Sequence, residues 1–111
     1  MIALNGSTLT CSSCGGATVT AIGTTATASS AGTEQFGLRA TTTIGNGTIA
    51  SPYNSASLWA FDTAAFPDLL ATGSGDLVSS TYSMGYIANI SALSEYGSYT
   101  STLTYVVTGT F

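Results

Sequence analysis

The end of the chain, residues 99–111, alternates between apolar and hydroxyl side chains with a period of two. Its odd positions include Leu103, Tyr105 and Val107, whereas its even positions are mostly threonines. Successive side chains of a β-strand point to opposite faces, so this pattern predicts a long strand with one face on a core. A pattern in which every second side chain is apolar is typical of a β fold.

A second alternating stretch, residues 78–92, precedes it. Val78, Tyr82 and Met84 share one parity with other apolar residues, and only Ile87 departs from the pattern. The intervening residues 93–98 have the length of a hairpin turn. We therefore expect the two long strands to pair with each other in antiparallel fashion.

Weaker strand patterns and turn signals continue upstream. We expect strands at 18–29, 35–43 and 57–61, a hairpin turn at Asn46-Gly47, and a loop or single helical turn over 62–70. Short strands separated by turns are typical of sandwiches and barrels. The sequence predicts one all-β domain over residues 1–111, an antiparallel β-sandwich.

Charge is scarce in this chain. Only 5% of the 111 residues are charged, against about 25% in an average soluble protein. Arg39 is the single basic residue, and His is absent. Binding to nucleic acid or to anionic lipid needs clustered Lys and Arg, so we expect neither partner, and the longest apolar runs are too short for insertion into a membrane.

The same shortage argues against catalysis. Without His the chain lacks the commonest general base and the commonest metal ligand, so we expect no catalytic residue, no metal and no cofactor. Asp62 and Asp68 are the only candidate acid pair, and we interpret them as a cap or loop residue and a turn residue.

Scarce charge also bears on association. Natural edge strands resist pairing with other chains by carrying charge, especially Lys. We therefore expect this chain to tolerate polymerisation through its sheet edges.

Cys11 and Cys14 are the only cysteines. A zinc site would need two further ligands, and a thioredoxin-type pair should open a helix, of which there is no sign. We favour a local disulfide that stiffens the N-terminal segment, which implies an oxidising compartment.

Three asparagines fit the glycosylation pattern Asn-x-Ser/Thr. Asn5 and Asn46 fall on predicted turns, and Asn89 lies on the polar face of a predicted strand. Chance matches are common in a chain so rich in Ser and Thr, so we treat all three as candidates only.

Aromatic residues suggest two further roles. Tyr99, in the spacing acid-x-Gly-x-Tyr that starts at Glu95, resembles the tyrosine corner of immunoglobulin-like sandwiches, in which the hydroxyl bonds to upstream backbone. Tyr53 and Trp59 are candidates for a glycan-binding face, with Tyr53 the more exposed. The competing interpretation puts Trp59 and Phe61 in the core on one face.

The end of the chain, with its Gly-x-Tyr turn at Gly97 and alternating strand up to Phe111, resembles the closing strand of spore-coat-U-like and chaperone–usher pilins; TasA-like filament proteins share the sandwich architecture. The pilin resemblance implies a sandwich completed by a strand from a neighbouring subunit, with residues 1–10 as the exchanged or docking segment. The residues expected to make the assembly contacts are Ile2, Leu4, Leu9, Leu103, Tyr105, Val107 and Phe111.

These observations predict an extracellular or cell-surface structural subunit whose partner is another copy of itself, in a fibre, pilus or surface layer. The alternative is a monomeric carbohydrate-binding or adhesin module of the same fold, with surface glycans as partners.

Overall fold

A computed structural model of the chain describes residues 1–74 and 79–109. This part is nearly all β, with two short 3-10 turns at Ser12–Cys14 and Thr63–Ala65. The strands are β1 (Ile2–Gly6), β2 (Thr10–Cys11), β3 (Ala17–Thr18), β4 (Gly23–Thr27), β5 (Gln35–Ile44), β6 (Thr48–Ile49), β7 (Trp59–Phe61), β8 (Asp68–Thr72), β9 (Thr81–Asn89) and β10 (Leu103–Val107). The predicted all-β, sandwich-like fold is confirmed.

The strands form two four-stranded sheets and one small hairpin. The first sheet has the order β10-β1-β8-β6, and the second has the order β4-β7-β5-β9. The hairpin pairs β2 with β3. All strand pairs within the sheets are antiparallel, and the molecule measures 50 × 25 × 20 Å.

The core lies between the two sheets. Leu4 from the first sheet and Leu38 and Phe61 from the second are fully buried there. Phe61 contacts Phe36 and Phe66 edge to face, with ring centroids 4.8 and 5.0 Å apart. Burial of each such side chain contributes about 1.5–3 kcal/mol, so this apolar layer is the main source of stability.

The N-terminal strand β1 is central in the first sheet. We expected a turn at Asn5, but β1 continues through Asn5 and Gly6, and Gly6 lies opposite Leu103 of β10. A Cβ on Gly6 would stand 2.6 Å from the carbonyl oxygen of Thr102. The glycine is therefore required by the close approach of two backbones rather than by a turn.

The predicted hairpin between the two long C-terminal strands is wrong. β9 pairs with β5, from Gln35 opposite Asn89 to Ile44 opposite Thr81, whereas β10 pairs with β1 in the other sheet. Residues 90–102 connect the two sheets and do not form a tight turn. The alternating pattern identified both strands, because burial of one face does not depend on the partner strand.

Other expectations upstream are partly correct. The chain does turn at Asn46, but β6 then pairs with β8 in the opposite sheet, so the turn links the sheets and does not close a hairpin. β8 was not predicted. Ile87, the residue that departs from the alternating pattern of β9, lies next to Gly37. A Cβ built on Gly37 would stand 3.5 Å from Ile87 and 3.0 Å from Trp59. The outer face of this sheet is therefore partly apolar.

We predict that Gly6→Ala destabilises the protein by about 1–3 kcal/mol, since backbone atoms of β10 must move to admit the methyl group. Gly85→Ala is the matched control, because a Cβ on that strand glycine would make ordinary contacts of 3.4 Å or more. Urea unfolding measures both. A Gly6→Ala midpoint equal to that of Gly85→Ala would contradict the close packing of β1 on β10.

Candidate functional site

One side of the sandwich is bordered by two edge strands. β9 ends the second sheet and β10 ends the first, and among the described residues neither has a partner on its outer side. Neither strand contains a charged residue or a proline. We call this side, with β9 and β10 as its borders, the open flank.

An apolar pocket of about 160 Å³ lies between the sheets at the open flank. Its walls come from both sheets and are Ile2, Leu70, Tyr82, Met84, Tyr105 and Val107. Tyr105 and Val107 thus face the space between the sheets, but the burial predicted for this face of β10 is not found: Tyr105 is 37% and Val107 73% exposed.

The hydroxyl groups of Tyr86 and Tyr105 span the open flank, 2.6 Å apart. Burial, together with this hydrogen bond, raises the pKa of the Tyr105 hydroxyl above its ordinary value. The contact joins β9 to β10 although their backbones do not pair. This hydrogen bond was not predicted, because the two strands were expected to form one hairpin.

The cysteines are joined in a disulfide, as predicted. Both sulfurs pack on Gly97: a Cβ there would stand 2.2 Å from Cys14 Sγ and 2.6 Å from Cys11 Sγ. Cys14 Sγ also lies 3.4 Å from the carbonyl oxygen of Tyr96. The disulfide therefore closes its own N-terminal segment and also packs against a loop that lies more than 80 residues away in sequence.

Tyr99 forms the predicted corner. Its hydroxyl donates to the carbonyl oxygen of Glu95 at 2.8 Å. Next to it, Thr10 and Thr100 exchange backbone hydrogen bonds of 2.8 and 3.0 Å. The structural role expected for Tyr99 is confirmed, and the corner belongs to the segment that connects the two sheets.

Tyr53 does not lie where we expected. It is 1% exposed, and its hydroxyl donates to Asp68 at 2.7 Å. Burial, the hydrogen bond and the charges of Asp68 and Asp62 all raise the pKa of this hydroxyl. The expectation of an exposed glycan contact at Tyr53 is wrong: the ring lies in the core, and its hydroxyl reaches the half-buried carboxylate of Asp68.

Trp59 is half-buried. The guanidinium of Arg39 stacks over its ring, 4.4 Å from the ring centroid. Arg39 also donates to the carbonyl oxygen of Ala56. Phe61, by contrast, is in the core, so the two aromatics of β7 do not share one environment. With its ring occupied by the arginine, Trp59 does not present an open platform to a sugar.

The three candidate glycosylation sites differ in environment. Asn46 is exposed in its turn, and Asn5 is exposed on β1 rather than on a turn. Asn89 is half-buried, and its amide nitrogen, the atom that would carry a glycan, donates to Ser29 and Gln35 at 2.8 and 2.9 Å. Asn89 therefore holds neighbouring segments together.

The predicted assembly residues are divided between core and surface. Leu4 is fully buried, Ile2, Leu9 and Leu103 pack at the margin of the core, and Tyr105 and Val107 border the open flank. Phe111 lies outside the described residues. Of the set, only Tyr105 and Val107 are both exposed and on an edge strand.

The acids serve the fold. Asp62 accepts a hydrogen bond from Ala64 and caps the short turn, as predicted. Asp68 begins β8, where it accepts from Tyr53 and Leu69, so it is a strand residue and not the expected turn residue. The described residues contain no cluster of three or more metal-ligating side chains. No helix in this part of the chain is long and apolar enough to cross a bilayer.

Comparison with protein-family models, with curated proteins and with solved structures gave no match. The resemblance to pilins and filament proteins therefore stays a prediction.

We predict that Tyr53→Phe lowers the free energy of unfolding by about 1.5–3 kcal/mol near pH 8, because Asp68 loses a hydrogen bond to its charged group. The raised pKa means that the folded state holds the hydroxyl proton more tightly than the unfolded chain does. The stabilisation that comes from this proton is complete below a pH of about 10 and is lost as the pH rises further. Because Tyr53→Phe has no hydroxyl to ionise, it should lose less stability than the wild type at high pH.

Urea unfolding at pH 8 and pH 11 measures both effects, with Tyr96→Phe as the control because Tyr96 is fully exposed. Equal stability of Tyr53→Phe and wild type at pH 8, with equal losses at pH 11, would show that the buried contact contributes nothing.

Proposed function

We propose that this protein is an extracellular structural subunit that associates with copies of itself, through the open flank, into a fibre or surface layer. The observation that carries the proposal is that two edge strands, β9 of nine residues and β10 of five, border one side of the sandwich without a charge or a proline.

Edge strands present backbone N–H and C=O groups that can pair with another chain. Proteins that remain monomeric usually protect such edges with lysine, proline, bulges or a covering segment. β9 is nine residues long, and its edge offers polar backbone groups over most of that length. An added strand would gain hydrogen bonds without displacing any charged side chain.

The apolar side chains at the open flank favour the same association. Val107 and Val106 of β10 are 73% and 52% exposed, and the adjoining pocket has apolar walls. A strand laid along β10 would bury these side chains and could fill the pocket with alternate residues of its own. Each Å² of apolar surface so removed from water contributes about 25 cal/mol.

The disulfide supports an extracellular location. Disulfides persist in oxidising compartments and are rare in the cytosol, where thiols are kept reduced. The bond between Cys11 and Cys14 packs against Gly97, so it is integrated with the fold.

The alternative of a glycan-binding face at Tyr53 and Trp59 has little support, because one ring is buried and the other is covered by Arg39. The self-associating subunit is therefore the function that we propose.

We predict that Val107→Lys raises the concentration needed for assembly by at least about tenfold, because an interfacial lysine would have to be desolvated at the new edge contact. Thr41→Lys adds the same charge at an exposed position of the central strand β5 and should assemble like wild type. Light scattering after size exclusion and negative-stain microscopy measure assembly. Circular dichroism establishes that both variants are folded.

Wild-type protein that stays at its monomer mass of 11.1 kDa at high concentration would refute the proposal. Assembly of Val107→Lys at the wild-type concentration would refute the role of the open flank.

A further inference from the structure

We propose that the loop of residues 90–99 is a binding site for a neutral oligosaccharide, with the ring of Tyr96 as a stacking platform and the carboxylate of Glu95 as a hydrogen-bond acceptor. This site is separate from the open flank and does not depend on self-association.

The loop contains a cleft of about 340 Å³, lined by Ile90, Ser94, Glu95, Tyr96, Gly97 and Tyr99. A volume of this order falls in the range of small-molecule sites. Tyr96 is 100% exposed, so both faces of its ring are open to a ligand. No other tyrosine among the described residues is exposed to this extent.

The backbone beneath Tyr96 is held in place, although its ring is exposed. The disulfide packs on Gly97, the residue that follows, and Cys14 Sγ lies 3.4 Å from the Tyr96 carbonyl oxygen. On the other side, the Tyr99 hydroxyl donates to the carbonyl oxygen of Glu95. One contact from a distant part of the chain and one from within the loop therefore fix the position from which the ring projects.

The first half of the loop is fixed as well. The backbone N–H of Ser91 donates to Ser94 Oγ at 3.0 Å, and the Ser94 hydroxyl donates to Glu34 at 2.7 Å. The N–H of Ser94 also donates to the carbonyl oxygen of Ser91 at 3.2 Å. A loop ordered before binding loses little conformational entropy when a ligand binds, which raises the affinity that a given set of contacts can reach.

The chemistry of the cleft selects the ligand class. Glu34 and Glu95 make this region acidic, and the only basic side chain of the chain, Arg39, stacks on Trp59. An anionic ligand such as a phosphate or a sulfated chain would be repelled. A sugar offers hydroxyl donors to carboxylate and an apolar C–H face to the exposed ring, so it satisfies both features of the cleft.

The proposal is tested by titrating cellohexaose, maltohexaose, chitohexaose and mannohexaose into isotope-labelled protein and following backbone and aromatic NMR signals. At least one of them should shift signals of residues 90–99 in a saturable manner. Tyr96→Ala should weaken that binding by at least about tenfold, whereas Tyr96→Phe, which keeps the ring, should bind like wild type. Glu95→Gln should bind more weakly than wild type.

Leu93→Ala is the matched control, since Leu93 is exposed in the same loop but does not line the cleft. It should leave affinity unchanged. If none of the four sugars shifts the signals of residues 90–99, or if Tyr96→Ala binds with the same affinity as wild type, the proposal is overturned. Saturable binding of choline without binding of any sugar would also overturn it, because the cleft would then be a site for a cation. Self-association is measured separately, so either proposal can fail alone.

Discussion

The pairing of the N-terminal strand with the C-terminal strand is the constraint on which the rest of the structure depends. β1 and β10 are matched from Ile2 opposite Val107 to Gly6 opposite Leu103. Backbone hydrogen bonds continue this ribbon to Thr10 and Thr100. Such distant segments meet only at a considerable cost in chain entropy, so the ribbon must be stabilised by the core beneath Leu4 and by the disulfide at its far end.

The open flank and the 90–99 loop both follow from this ribbon. β10 pairs with β1 in the first sheet, whereas β9 pairs with β5 in the second, so the two strands are separate edges on one side of the sandwich. The chain therefore crosses between the sheets after Asn89, and the crossing segment carries the tyrosine corner and the exposed ring of Tyr96. The two surfaces that we propose for association and for ligand binding thus both depend on the assignment of β9 and β10 to different sheets.

The sequence predicted the features that depend on local pattern. The alternation of apolar and hydroxyl residues identified β9 and β10, although in β10 only Leu103 is even half-buried. The spacing from Glu95 to Tyr99 identified a hydrogen bond that spans four residues. Strand partners were mispredicted, because period-two alternation gives the buried face and not the neighbouring strand. Tyr53 was misplaced for a similar reason, since its burial depends on Asp68, fifteen residues away. The contact of Gly97 with the disulfide has no local signal in the sequence.

Amide hydrogen exchange, compared between monomeric and concentrated protein, distinguishes association through the open flank from association elsewhere. Exchange should slow in β9 and β10 at high concentration, while the interior strands β5 and β8, already paired on both sides, should exchange at unchanged rates. Equal rates in the two samples, or new protection confined to β4 and β6 at the opposite edges, would contradict association through the open flank.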